Sequence, residues 1–242
     1  MLCPTYVPAS EAAALLRSQG YAVLSPQGVC ELAGCSPAEL EALMPSWDDL
    51  APDTYLKDGG RYRRRRHSCF VADGGHLIQA PHRAHWQPVE YNALHGGMQR
   101  WFEPMRPQVV AAPAWGALLR SVGGLASAIK GDRPWYVEAH QFRIDTEGGI
   151  GRPTPEGAHR DGVDLVAVFL VARRGIKGGE TRVFEAEGPR GQRFTLQEPW
   201  SVLLLDDERV IHETTPIQPT APGGGHRDTL VLTYRAGGFQ GD

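Results

Sequence analysis

Residues 163–171 have the sequence Val-Asp-Leu-Val-Ala-Val-Phe-Leu-Val, a nearly continuous apolar run rich in valine. Such a run is typical of a β-strand that is buried on both faces. Shorter apolar runs of the same character occur at residues 137–144, 181–184, 201–205 and 229–234. A series of short strands in the second half of the chain predicts a β-sandwich or jelly roll.

The first half of the chain has helical patterns instead. Ser36, Pro37 and Glu39 have the spacing of a capping box with proline at the first helical position. Ser10 lies near the expected N-cap of a helix that Gly20 would end. The predicted helices are residues 9–20, 36–44, 88–102 and 113–130. Helices followed by strands favour an α+β fold that is mainly β, with N-terminal helices flanking the β core.

The composition is ordinary for a soluble globular protein, since 41% of the 242 residues are hydrophobic and 22% are charged. The net charge of −3 gives no general attraction to nucleic acid or to an anionic membrane. No apolar run is long enough for a transmembrane helix, and the N-terminus lacks a secretory signal pattern, so we expect a cytoplasmic protein. We also expect one domain over residues 1–242, with a helical portion over about 1–54 and the β core over about 134–236.

A His-x-Asp pattern, His159-Arg160-Asp161, stands directly before the apolar run. If this segment is a strand, His159 and Asp161 share one face and Arg160 points away. His212 follows the predicted strand at 201–205 and could approach them in a jelly roll. Two imidazoles and one carboxylate leave half of an octahedron open, which is the ligand set of non-haem Fe(II) oxygenases. We therefore predict that these three residues bind iron.

The other histidines fit a metal site less well. His82 and His85 could bind zinc on a helical turn, but no third ligand is evident. We interpret His140 as a core residue or a neighbour of the ligands. The remaining candidates are interpreted as surface or loop residues: His67, His76, His95 and His226.

An arginine run at residues 61–66 has three interpretations. It could be a solvated or salt-bridged strand, it could supply one arginine to a substrate carboxylate, or it could bind nucleic acid, although the negative net charge argues against the last. With a period of two, Arg61, Arg63 and Arg65 share one face, and Arg64 and Arg66 share the other. Gln141 and Arg143, on the strand before the His-x-Asp motif, are further candidates for lining a pocket.

Several motifs resemble one family when they are taken together. They are Pro155-Glu156-Gly157-x-His159-Arg-Asp161-Gly162, Gly178-Gly179-Glu180-Thr181, Asp206-x-x-Arg-Val-x-His212, Arg227-Asp228, and an earlier group with Gln87, Asn92, Gly96-Gly97, Arg100 and Phe102-Glu-Pro104. Over roughly residues 55–235 the chain resembles the Fe(II)/2-oxoglutarate-dependent dioxygenases. The likeness is to the bacterial 2OG-Fe dioxygenase family that includes hydroxylases of free L-isoleucine and related amino acids.

The resemblance implies a cupin-like double-stranded β-helix with Fe(II) at one mouth, and 2-oxoglutarate and O2 as cosubstrates. Arg227 and Thr229 match the Arg-x-Ser/Thr arrangement that holds the distal carboxylate of 2-oxoglutarate in the family. The proline- and glycine-rich segment between His212 and Arg227 is expected to be a mobile loop.

The resemblance also implies a small free L-amino acid with an aliphatic or thioether side chain as the substrate. An amino acid needs a cation for its carboxylate and an anion or carbonyl for its ammonium group. The candidates are an arginine of the 61–66 run, such as Arg63 or Arg65, and Glu156.

Two other classes of protein remain as alternatives. A non-enzymatic, cupin-like metal or small-molecule binding protein could use the same three ligands, but it would not convert 2-oxoglutarate to succinate. A nucleic-acid binder centred on the arginine run would show salt-sensitive binding of DNA or RNA.

Overall fold

The computed structural model describes residues 2–92 and 94–241. Its helices all precede residue 131, as the sequence predicts. They are α1 (Ala12–Gln19), α2 (Pro26–Ala33), α3 (Pro37–Glu41), α4 (Pro107–Val110) and α5 (Pro113–Lys130), with 3-10 helices at Ala9–Glu11 and Met44–Asp49. None of the helices in these two ranges is both long and apolar enough to cross a membrane.

The strands form antiparallel sheets. They are β1 (Tyr21–Leu24), β2 (Arg63–Asp73), β3 (His76–Gln79), β4 (Trp135–Asp145), β5 (Leu165–Arg174), β6 (Ile176–Gly178), β7 (Thr181–Glu185), β8 (Gly191–Phe194), β9 (Val202–Asp206), β10 (Val210–Thr214), β11 (Ile217–Pro219) and β12 (His226–Ala236). The large sheet has the order β1-β9-β5-β12-β4-β2-β3, and two small sheets have the orders β10-β7-β8 and β11-β6.

The small sheet β10-β7-β8 packs against the large sheet through an apolar cluster. Val183, Phe194 and Val210 of the small sheet belong to the same buried cluster as Val166 and Leu205 of the large sheet. Two antiparallel sheets that face each other in this way form a jelly roll, the double-stranded β-helix predicted above.

The opposite face of the large sheet is covered by helix α5. Its buried side chains, among them Trp115 and Leu119, belong to the same core cluster as Val137 of β4 and Tyr234 of β12. The Tyr234 hydroxyl donates a hydrogen bond to the Leu119 carbonyl at 2.7 Å. Both faces of the large sheet are therefore covered, which explains why its strands β5 and β9 are apolar over most of their length.

Several predicted elements are confirmed. The helix predicted at 113–130 is α5, and the predicted strands correspond to β4, β5, β7, β9 and β12. The Ser36 hydroxyl accepts a hydrogen bond from the Glu39 backbone N–H, and the Glu39 carboxylate accepts one from the Ser36 N–H, which is the predicted capping box. Ser10 caps no helix, because it lies inside the first 3-10 helix and α1 has no side-chain cap.

The helix predicted at 88–102 is wrong. The described residues of this stretch form turns and extended chain, and residue 93 lies outside them. Asn92 caps the turn by accepting a hydrogen bond from the His95 N–H at 2.8 Å. Gly97 has a φ of +75°, and a Cβ at Gly96 would lie 2.5 Å from the Asn92 carbonyl oxygen. Tight glycine turns therefore outweigh the apolar periodicity here.

Two further parts of the fold were not predicted. Strand β1 lies within the first 54 residues and pairs with β9, so this portion of the chain contributes an edge strand to the large sheet as well as helices. The segment between His212 and Arg227 is not simply a loop, because it contains β11, which pairs with β6. Its glycine turn is also held, since the Gly225 N–H donates to the Thr146 hydroxyl at 2.8 Å.

Candidate functional site

A cavity lies between the two facing sheets, and its empty space together with the open solvent at its entrance amounts to about 940 Å³. Strand alternation decides which side chains reach it. On β12 the cavity-facing residues include Arg227 and Thr229, and on β4 they include His140 and Phe142. Strand β10 contributes His212 from the opposite side.

His159, Asp161 and His212 come together at one wall of this cavity. The backbones of His159 and His212 exchange two hydrogen bonds of 3.0 Å, which sets their rings 4.6 Å apart. Nε2 of His159 and Nε2 of His212 each lie 3.9 Å from an oxygen of Asp161. One donor atom from each residue falls within a group no wider than 4.8 Å, so the three side chains could hold one metal ion.

The hydrogen bonding of His159 suits a metal ligand. Its Nδ1 lies 2.9 Å from the Gly157 carbonyl oxygen, which can only accept, so Nδ1 carries the proton. The lone pair of Nε2 is then free for a metal, and the ring orientation is fixed from behind. Arg160 points away, as predicted, and donates to the Glu208 carbonyl at 3.1 Å.

The local structure around these residues differs from the prediction. Asp161 is not in a strand, because its segment is a loop joined to β10 through the single bridge at His159. His212 lies inside β10 and not directly after the preceding strand. The Asp207 carboxylate holds the loop by accepting hydrogen bonds of 2.8–3.1 Å from the backbone N–H groups of Asp161, Gly162 and Val163. Sequence reasoning missed Asp207.

The charges at this wall are poorly compensated. Burial raises the pKa of Asp161, and the nearby His159 offsets only part of this effect. Burial also lowers the pKa of His212 well below its usual value, so this ring is neutral. A buried carboxylate beside the neutral His212 ring is an arrangement that a bound cation would stabilise.

Arg227 and Thr229 lie on one face of β12 and line the same cavity, as predicted. Arg227 is only 5% exposed, and within the described ranges no side chain forms an ion pair or a hydrogen bond with its guanidinium. Burial and the neighbouring Arg173 lower its pKa to about 10. A buried cation without a counter-ion is costly, and its fork of donors matches a carboxylate.

Gln141 and Arg143 do not line the cavity, and this prediction is wrong. Gln141 donates to the Ser46 hydroxyl at 2.7 Å on the opposite side of the sheet. Arg143 donates to both oxygens of Asp228, at 2.8 and 2.7 Å. Because alternate side chains of a strand point to opposite faces, the even-numbered residues of β4 reach the cavity instead.

Arg63, Arg65 and Glu156 all line the cavity, as predicted. Arg63 donates to Asp53 at 2.7 Å, and Arg65 stacks on the Phe102 ring with its guanidinium carbon 3.7 Å from the centroid. Oε1 of Glu156 is 3.7 Å from Nε2 of His159. Because Arg63 and Arg65 are at most 6% exposed, they are not available to a nucleic acid.

The assignment of His67 to the surface or a loop is wrong, because it lies in strand β2, whereas His95 lies in a loop, as predicted; both side chains are buried. His67 is 0% exposed and His95 is 1% exposed. The proposed zinc pair is also not formed, because His82 bonds to the Phe102 carbonyl while His85 lies against Glu138. Side chains alternate between the two faces of each strand, so the register of β2 with β4 would have predicted that His67 lies close to Glu138 and His140. The sequence alone does not give that register.

Gln87 is another residue of the site whose role the sequence did not predict. Its Nε2 donates to Oδ1 of Asp161 at 3.3 Å. Its Oε1 accepts hydrogen bonds from Asn92 and Arg100, each at 3.0 Å. Gln87 therefore connects Asp161 to the buried Arg100 through two hydrogen bonds.

Comparison with known proteins agrees with this geometry. Residues 44–233 match the 2OG-Fe dioxygenase family. A crystal structure of a BsmA homologue from Methylobium petroleophilum PM1 has 55% sequence identity and a TM-score of 0.93, over 98% of this chain and 97% of that chain. No curated protein has a significantly similar sequence.

Two more distant structures share the fold. IDO from Bacillus thuringiensis is 18% identical with a TM-score of 0.76, over 93% of this chain and 98% of its own. The Fe(II)/α-ketoglutarate-dependent dioxygenase TqaL is also 18% identical, with a TM-score of 0.72, over 94% and 86% of the two chains.

The family match covers the strand residues that line the cavity and all three candidate ligands, and it decides against a binding protein without catalytic activity. This chain belongs to the 2OG-Fe dioxygenase family and is a 2-oxoglutarate-dependent dioxygenase that uses Fe(II), 2-oxoglutarate and O2.

Proposed function

We propose that the enzyme hydroxylates a small free L-amino acid with an aliphatic or thioether side chain. The observation that carries this proposal is that three metal-ligand side chains and an unpaired buried arginine share one cavity with apolar walls and further buried charges of both signs. The roles of the individual residues are part of the same proposal.

His159, Asp161 and His212 are the proposed iron ligands. Their donor atoms already converge, and the proton on Nδ1 of His159 leaves Nε2 free to bind. Two imidazoles and a carboxylate leave positions for a keto acid and for O2. Bound iron and 2-oxoglutarate supply the oxidising chemistry, in which O2 provides one oxygen atom to succinate and one to the substrate C–H bond, with release of CO2.

Arg227 and Thr229 are the proposed partners of the distal carboxylate of 2-oxoglutarate. The guanidinium offers a bidentate contact, and the threonine hydroxyl lies two residues further along the same face of β12. The absence of any anion paired with Arg227 within the described ranges supports this role, since a dianionic ligand would remove the cost of an uncompensated charge.

The remaining walls of the cavity support a small substrate. Val163, Val168, Val231 and Phe142 give apolar surface for an aliphatic or thioether side chain. Buried arginines and carboxylates elsewhere in the cavity give partners for the two charged groups of an amino acid.

A panel of free amino acids tests this function. We expect Fe(II)-dependent succinate release above the uncoupled rate with L-isoleucine, L-leucine or L-methionine, and a product about 16 Da heavier, the mass of one oxygen atom. His159→Ala and Asp161→Ala should abolish both signals and leave the fold intact, because these side chains lie at a cavity wall. If the panel fails and a peptidyl, carrier-bound or lipid substrate succeeds, the amino-acid proposal is wrong.

A further inference from the structure

Beside the candidate iron ligands, the cavity has a second group of buried titratable side chains. Oε2 of Glu138 lies 2.9 Å from Nε2 of His67, 2.5 Å from Nδ1 of His85 and 3.8 Å from Nε2 of His140. None of these residues is more than 8% exposed. We call these four residues the Glu138 cluster.

The Glu138 cluster has the residue types of a metal site, but its hydrogen bonding argues against one. Nη2 of Arg65 lies 2.7 Å from Nδ1 of His140. Because a guanidinium can only donate hydrogen bonds, Nδ1 of His140 is the acceptor. The proton of a neutral His140 is therefore on Nε2, the atom that faces Glu138, so no lone pair is available there. Metal-bound histidines usually donate from their other nitrogen to a carboxylate or carbonyl, which is the reverse of this arrangement.

The cluster instead holds Glu138 as a carboxylate anion. Burial alone would raise the pKa of Glu138, but the two histidines beside it lower the pKa below its usual value. Both histidines bond to the same oxygen, Oε2. Oε1 accepts no hydrogen bond from any residue that the structure describes, and Glu138 lines the cavity. This second oxygen is available to a ligand that donates hydrogen bonds.

Arg100 is a buried cation in the same cavity and has no counter-ion. It is 2% exposed, and among the described residues no carboxylate lies within ion-pair distance of it. Arg63, in contrast, is paired with Asp53, and Arg65 is bonded to His140. Arg100 resembles Arg227 in this respect, so the cavity has two unpaired buried arginines where a single 2-oxoglutarate occupies one.

The position of Arg100 relative to the candidate iron ligands is also informative. Nη2 of Arg100 donates to Gln87, which in turn donates to Asp161, so two hydrogen bonds separate the guanidinium from the Asp161 carboxylate. An amino acid that is hydroxylated on its side chain must have its charged groups held away from the metal while the side chain reaches it. Glu156 is less suited to hold the ammonium group, because its carboxylate lies 3.7 Å from Nε2 of His159.

We propose that Arg100 binds the carboxylate of the amino-acid substrate and that Glu138, held by His67 and His85, binds its ammonium group. This inference rests on the proposed function above and replaces Glu156 and the arginines of the 61–66 run as the partners of the substrate's charges. It makes Arg100 and Glu138 specificity-determining residues of the substrate site.

Three related compounds separate the two contacts. L-Leucine has both charged groups, 4-methylpentanoate lacks the ammonium group, and L-leucinamide lacks the carboxylate. Each is titrated anaerobically into enzyme loaded with Fe(II) and 2-oxoglutarate. We expect Glu138→Gln to weaken L-leucine binding by about tenfold or more and to have little effect on 4-methylpentanoate. Arg100→Gln should weaken L-leucine and 4-methylpentanoate by a similar factor and have little effect on L-leucinamide.

Matched variants separate this pattern from general damage. Glu187→Gln and Arg193→Gln remove the same charges from exposed positions and should bind L-leucine as the wild type does. Thermal unfolding shows whether the buried variants are folded. If Glu138→Gln does not fold, Glu138→Asp keeps the charge and should still weaken the binding of L-leucine more than that of 4-methylpentanoate. If Arg100→Gln does not fold, Arg100→Lys keeps the charge and should still weaken the binding of L-leucine and 4-methylpentanoate more than that of L-leucinamide.

The two proposals fail in different ways. Wild-type enzyme that hydroxylates L-leucine, L-isoleucine or L-methionine, together with Glu138→Gln and Arg100→Gln variants that bind L-leucine with unchanged affinity, would overturn this inference alone. If the wild-type enzyme neither binds nor hydroxylates L-leucine, L-isoleucine or L-methionine, both the amino-acid function and this inference are wrong.

Discussion

Buried charges without partners identify the residues on which ligand binding should depend. Arg227 and Arg100 are at most 5% exposed, and no carboxylate of the described residues pairs with either guanidinium. Folding alone does not favour such charges, because desolvation costs several kcal/mol per ion. We infer that ligand binding, and not fold stability, accounts for their presence.

Arg227→Gln is expected to weaken 2-oxoglutarate binding by at least about tenfold, since a charge-assisted hydrogen bond contributes roughly 1.5–3 kcal/mol. Arg227→Lys should restore only part of the affinity, because an ammonium group cannot make the bidentate contact. Titration of 2-oxoglutarate into the Fe(II)-loaded protein measures both effects, with the exposed Arg120→Gln as the control. Unchanged affinity in both variants would mean that another cation holds the distal carboxylate.

Asp207 is expected to position the candidate ligand Asp161 through the three backbone N–H groups that its carboxylate accepts. An asparagine has only one accepting oxygen, so Asp207→Asn should leave the loop less ordered. We expect Fe(II) affinity to fall by about tenfold to a hundredfold, as for other residues that orient metal ligands.

The neighbouring Asp206 provides the control, because its carboxylate faces Lys130 at 2.8 Å and does not contact the loop. Anaerobic Fe(II) titration of Asp207→Asn and Asp206→Asn should separate the two positions. Equal affinities in the two variants would contradict a positioning role for Asp207.

Strand β4 shows what the sequence could and could not predict about an element. Its apolar and β-branched residues predict that the strand exists and how long it is. They do not predict which of its two faces lines the cavity. Because both faces of the large sheet are covered, polarity does not distinguish them. The sequence therefore does not reveal that Gln141 and Arg143 contact Ser46 and Asp228 on the side away from the cavity.

Arg143→Ala is expected to reduce stability and not substrate affinity. It leaves Asp228, which is 2% exposed, without its arginine partner and with only His226 beside it, at 3.6 Å, so the free energy of unfolding should fall by roughly 1.5–3 kcal/mol. Urea denaturation measures this loss, and adding Asp228→Asn should recover part of it. A raised substrate KM with unchanged stability would instead favour a place for Arg143 in the cavity.

Across the molecule, short motifs predicted more than secondary-structure patterns did. The motifs predict that one site contains the His-x-Asp pair, the distant His212 and the Arg227-x-Thr229 pair. In the structure all of these residues line one cavity. The Glu138 cluster was not predicted, because its members come from β2, the 82–85 loop and β4 and meet only through strand pairing. A contact of this kind depends on register, which a single sequence does not determine.

Loading with Fe(II) and 2-oxoglutarate is expected to stabilise the whole protein. A ligand at one hundred times its Kd adds about 2.7 kcal/mol to the free energy of unfolding, which raises Tm by roughly 5–10 °C for a domain of this size. Anaerobic thermal unfolding with and without both ligands measures the shift, and a chelator should reverse it. Unchanged Tm at saturating concentrations would contradict a preformed site that binds only in the folded state.

An anaerobic crystal structure of the protein with Fe(II) and 2-oxoglutarate tests the proposed site most directly. We predict anomalous density for a single iron bonded to His159, Asp161 and His212, with the distal carboxylate of 2-oxoglutarate on Arg227 and its keto-acid end on the metal. Iron bound instead at His67, His85 and Glu138, or 2-oxoglutarate held without Arg227, would contradict the assignment.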